Sequence, residues 1–99
     1  MRLSKYQLDV IKYAVKDAFG EDAALFLFGS RVDDQARGGD VDLFIETSLG
    51  KHKAYQAELK LFTCLQKQLG EQKIDIVVQA EGSLPLPVYQ EARRTGVRL

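Results

Sequence analysis

One cysteine, one histidine and no tryptophan stand among the 99 residues. A lone Cys64 leaves nothing for an internal disulfide, and one Cys with one His argues against a Cys/His zinc site. A reducing, cytoplasmic setting is therefore expected. Charge of one sign is missing too: Lys plus Arg (14) equals Asp plus Glu (14). With no bulk basic field to draw in a phosphate backbone, the balance argues against direct nucleic-acid binding. Long apolar runs are also absent. Lys5, Asp9 and Lys12 interrupt the opening "MRLSKYQLDVIKYAV", and no run approaches the ~20 apolar residues of a membrane span. Repeats, low-complexity segments and linkers are lacking, so residues 1–99 are expected to form one small domain. What is present is an ordinary globular balance, 45% hydrophobic and 28% charged, enough for a single core.

The patterning then places elements. Ser4 is a helix cap, with Leu8, Ile11, Ala14, Val15 and Ala18 on one face and Gly20 as the stop. "ALFLF" (24–28) is a continuous apolar run, the mark of a strand covered on both faces. A polar stretch through Gly38-Gly39 reads as a short helix plus loop, with Asp33 and Asp34 in the helix's acidic first turn. "DVDLFIE" (40–46) is a second strand. Residues 51–69 fit a long helix, with Tyr55, Leu59, Phe62, Leu65 and Leu69 as its expected apolar face and Gly70 as its stop. "KIDIVVQ" (73–79) is a third strand, "PVYQEARRT" a last helix with Pro87 in its first turn, and "VRL" a final extended piece. The expected class is α/β, with helices packed on a small mixed sheet.

The oddity is Asp40-Val41-Asp42 at the mouth of a strand that otherwise wants burial. Aspartate is a poor strand residue, and two on one face repel. Either that face is wet and the pair idle, or something cationic sits there. Alternation puts Asp40, Asp42, Phe44 and Glu46 on one face, and Asp75, Val77 and Gln79 together on the third strand. If the two strands are neighbours, Asp40, Asp42 and Asp75 converge. Oxygen ligands without His or Cys suit Mg²⁺ or Mn²⁺. Three carboxylates with phosphate oxygens can hold two such ions for a phosphoryl-type displacement. Upstream, Gly29-Ser30 ends the first strand and offers backbone N–H groups and a hydroxyl to a phosphate, and Arg31 a charge-assisted contact. No P-loop and no dinucleotide glycine motif is present.

Gly-Ser, nine intervening residues, Asp-x-Asp entering a strand, and a third Asp in "KIDIVV" resemble the DNA polymerase beta-like nucleotidyltransferase superfamily. The short length and the closing "LPVYQEARRTGVRL" are similar to its minimal nucleotidyltransferase branch, the antitoxins of HEPN/MNT toxin–antitoxin pairs. The resemblance implies a nucleotidyltransferase fold in which Gly29 and Ser30 hold the triphosphate. It makes Asp40 and Asp42 ligands of two Mg²⁺ ions, and Asp75 a ligand of the catalytic metal that helps activate the incoming hydroxyl. It further implies AMPylation: transfer of AMP from ATP to a tyrosine of a HEPN ribonuclease. Few residues follow the expected core, so the acceptor is expected to be recognised in trans. The alternatives are a catalytically silent module that neutralises its partner by occlusion, or a transferase acting on a small molecule or an RNA end.

Other conspicuous residues have plainer readings. His52 is expected at the surface, Cys64 at the core or its boundary, and Lys51, Lys53, Lys60 and Lys67 on a solvated helix face. Arg93 and Arg94 suit the last turn of the final helix, where cations favour the dipole. Tyr6, Tyr13, Tyr55 and Tyr89 read as boundary residues rather than acceptors.

Overall fold

The computed structural model describes residues 4–28, 41–70, 73–84 and 86–99. Gly29, Ser30, Arg31, Asp40 and the expected short helix and loop between them lie outside the described residues.

Helix α1 (Lys5–Phe19) starts where the sequence places it. The Ser4 hydroxyl accepts from the Gln7 N–H at 3.1 Å while the Ser4 N–H donates to the Gln7 side chain at 2.9 Å, a complete capping box. Gly20, at φ 100°, ends it. Strand β1 (Ala24–Phe28) then pairs antiparallel with β2 (Val41–Glu46). Helix α2 (Lys51–Leu69) crosses over to β3 (Ile74–Gln79), which lies parallel to β2. Helix α3 (Pro87–Thr95) leads into β4 (Val97–Arg98), which returns antiparallel to β1. The sheet order is β3-β2-β1-β4, a small mixed sheet as expected.

Alternation divides the sheet cleanly. Leu25, Leu27, Val41, Leu43, Ile45 and Ile74 pack with Ile11, Val15, Phe19, Leu61 and Leu65 of α1 and α2 into the main core. The opposite face buries Phe26 and Phe44 against Ala92 of α3, with Phe28, Val77 and Tyr89 at the margin. Both faces of "ALFLF" are thus covered, which is why that run is apolar throughout. Gly96 makes the last turn possible. A Cβ there would stand 2.5 Å from the Ala92 carbonyl and 3.2 Å from that of Leu27, so only glycine lets the chain step from α3 onto β1.

One expectation fails. On α2 the side chains in the core are Ala54, Ala57, Leu61 and Leu65. Tyr55, Leu59 and Phe62, expected on the buried face, are 60%, 49% and 43% exposed. The helix carries two apolar stripes rotated from one another, and the one built on small alanines faces inward. Periodicity registers both stripes and cannot choose between them.

Candidate active site

Asp42 and Asp75 are register partners across the parallel β2–β3 pair. Both strands alternate in phase, so the two carboxylates leave the same face, in neighbouring strands about 4.8 Å apart. Asp42 is half-buried and Asp75 exposed. On the other side of β2, Phe28 is the register partner of Asp42. The row at this end of the sheet therefore reads Asp75, Asp42, Phe28, and β1 ends there. One row further in, Val77, Phe44 and Phe26 replace charge with apolar groups. The Phe44 ring stands 5.8 Å from Phe26 and 5.8 Å from Tyr89, nearly parallel to the latter at 24°. Tyr89, read from sequence as a boundary residue, is the cover that α3 lays over this aromatic file.

The far end of the same face is tied down by charge. The Arg93 guanidinium donates through both Nε, at 2.9 Å, and Nη2 to the two carboxylate oxygens of Glu46. That fork raises the Arg93 pKa above its usual value, first through the hydrogen bond and then through the charge of Glu46. Arg93 was expected to answer the helix dipole, and it stands in the last turn as foreseen. Its fixed partner is a strand residue that α3 alone would not reveal. Only the count that put Glu46 on the Asp42 face could have signalled it.

Two apolar faces and two paired carboxylates define what this end of the sheet can do. Neighbouring carboxylates repel, and a hard divalent cation held by Asp42 and Asp75 would offset the repulsion. The donor set is oxygen only. His52 and Cys64 belong to α2, which packs on the opposite face of the sheet, so neither reaches the pair. Among the described residues no group of three or more His, Cys, Asp or Glu could hold a metal. The third candidate ligand, Asp40, and the phosphate-contacting candidates Gly29, Ser30 and Arg31 lie outside them.

A family model described as a nucleotidyltransferase domain matches residues 8–95. The chain belongs to the nucleotidyltransferase domain family. The match takes in most of the first helix, both aspartate-bearing strands and the last helix, so the mixed α/β arrangement of three helices on a small sheet is the family's fold and the chain is a transferase of nucleotidyl groups. No curated relative matches the chain. Among the described residues of this nucleotidyltransferase no helix is long and apolar enough to cross a membrane.

Proposed function

We propose that the protein is a metal-dependent nucleotidyltransferase that moves AMP from ATP to a tyrosine hydroxyl of a HEPN ribonuclease, as the antitoxin of such a pair in the cytoplasm. The observation that carries the reading is the Asp42–Asp75 register on one sheet face in a chain of this family. Asp40, Asp42 and Asp75 would hold two Mg²⁺ ions, or Mn²⁺, through oxygen alone. The ions, when bound, would neutralise phosphate charge and lower the cost of bringing an oxygen nucleophile to the α-phosphorus.

The remaining steps fall to the chain's own residues. Gly29, Ser30 and Arg31 follow directly on β1, which ends opposite Asp42, and that connection favours them as the triphosphate contacts. In the reaction the acceptor oxygen forms its bond to the α-phosphorus as the bond to pyrophosphate breaks. The acceptor's proton leaves toward Asp75, the more exposed carboxylate of the pair. The aromatic file behind the pair keeps the sheet rigid beneath the reacting groups.

The test is transfer from α-labelled ATP, with Mg²⁺, to the product of the neighbouring gene, expected on this reading to be a HEPN protein. Label should appear on a tyrosine of the acceptor. It should fall at least about a hundredfold for Asp42→Asn or Asp75→Asn, with thermal unfolding retained. Near-normal transfer by either variant would overturn the carboxylate assignment. No transfer, with the two proteins still bound tightly, would make the chain an occluding antitoxin. Transfer to RNA ends or to a small molecule in place of the protein would replace the acceptor.

A further inference from the structure

β3 forms one edge of the sheet, and no described strand lies beyond it. The Lys73 carbonyl accepts from the Val41 N–H at 2.9 Å and the Gln79 carbonyl from the Thr47 N–H at 3.1 Å. Odd-numbered backbone groups of β3 therefore face β2. Those of Ile74, Ile76 and Val78 point out from the sheet, offering three donors and three acceptors in a row. Residues 73–79 contain no proline, and the unbroken register with β2 leaves no bulge to bend the edge away. Two of the usual protections of an exposed edge are thus absent.

The helix above continues the same surface. Lys51, Tyr55 and Glu58 of α2 line a cleft of about 150 Å³ with Val78, Ala80 and Ser83, which places this flank of the helix beside the edge. Tyr55 stands exposed on this flank, and Phe62, two helical turns on, continues it. Burial pushes the Glu58 carboxyl above the usual range.

We propose that this edge is the interface with a second copy of the chain, the two β3 strands pairing antiparallel about Val77. In that register Ile76 exchanges backbone hydrogen bonds with Val78 of the second copy, and Val77 meets Val77. Asp75 falls opposite the uncharged Gln79, and Lys73 opposite Glu81, so no like charges meet across the seam. A register centred on Asp75 would instead set two like charges face to face.

α2, packed on the Ile76 and Val78 face, then meets its symmetry mate across the seam at roughly 10 Å, the spacing of packed helices. Tyr55 faces Phe62 across the twofold. Those two aromatic side chains, each partly exposed, contribute roughly 200 Å² per copy. With the strands and the polar rim the two copies bury on the order of 1,000–1,200 Å² in total, the low end for a specific interface. The inference does not depend on the proposed acceptor.

The test is light scattering of the full chain from roughly 1 to 100 µM, the weak end of affinity for such an area. The expected mass is twice the 11.1 kDa of one chain. Ile76→Pro removes an N–H that faces the edge and leaves the ladder to β2 intact, while Phe62→Glu charges the helix flank. Both should be folded monomers. In a Cys64→Ser background, Val77→Cys should oxidise to a cross-linked dimer, since a non-hydrogen-bonded antiparallel pair sets Cα atoms about 4.5 Å apart. Gln79→Cys, four residues out of register with its own mate, should not. A wild-type monomer throughout that range, or a dimer that survives both substitutions, would overturn the proposal. Loss of the acceptor complex in these variants of a monomeric wild type would do the same, assigning the edge to a strand of the acceptor.

Discussion

Asp42 and Asp75 share a row because of two separate local facts: each sits second in its strand, and the strands run parallel. Alternation alone fixes which neighbours each shares a face with. The pairing itself needs the crossover through α2. Glu58 shows how residue chemistry depends on such placement. Desolvation raises its pKa above the ordinary 4.5, so the folded state binds its proton more tightly than the unfolded chain does. The stability tied to that proton is complete below about pH 4.5 and is lost as pH rises through the raised value. Glu58→Gln should therefore unfold at a higher temperature than the wild type at neutral pH, and at nearly the same temperature below pH 4.5. The gain should stay under about 4 °C, because the group remains largely solvated. Thermal melts across pH 3–8 check the sign, and a Tm lowered by the substitution at pH 7 would show that the carboxylate is stabilising instead.

Helix α2 carries the clearest lesson at the level of the element. Leu61 and Leu59 lie two residues apart and are chemically identical, yet Leu61 is fully buried while Leu59 is half open to water. Leu61→Ala should lower stability by about 2–5 kcal/mol, the range for a core leucine, and Leu59→Ala by under about 0.5 kcal/mol in the monomer. Urea unfolding of the two variants separates the stripes, and equal losses would mean that both face the core. The same element shows what the sequence could and could not reveal. Its ends, Lys51 and Leu69, were legible from the apolar period and from the stop at Gly70. Its inward face was not, because alanine at Ala54 and Ala57 carries little hydrophobic signal yet permits the closest packing.

For the molecule as a whole, the sheet supplies a rigid platform and the acid pair lies at one end of it. A ligand held only by the folded state raises stability in proportion to its binding. ATP with Mg²⁺ at a hundred times its dissociation constant should raise Tm by roughly 13 °C, the effect of about 2.7 kcal/mol on a domain of this size. ATP with a chelator, or Asp75→Asn with Mg²⁺, should show most of that shift gone. A metal-independent shift of the same size would place the nucleotide away from the carboxylates. α3 fastens the opposite end of this face through the Arg93–Glu46 fork and the Tyr89–Phe44 stack.

The sequence by itself determined the boundaries of the described elements to within a residue or so, the α/β class and the parity that sets Asp42 with Phe44 and Asp75 with Val77. Capping residues, glycines and apolar period act within a few residues, and such local signals survive without a fold. Its motif spacing also pointed to the nucleotidyltransferase family that residues 8–95 match. Tertiary structure alone decided that β2 and β3 are neighbours in register, that Tyr89 covers Phe44, that Arg93 reaches Glu46, and which stripe of α2 is buried. Each of these joins groups distant along the chain, and their meeting is settled by the packing of whole layers rather than by the preference of any one segment.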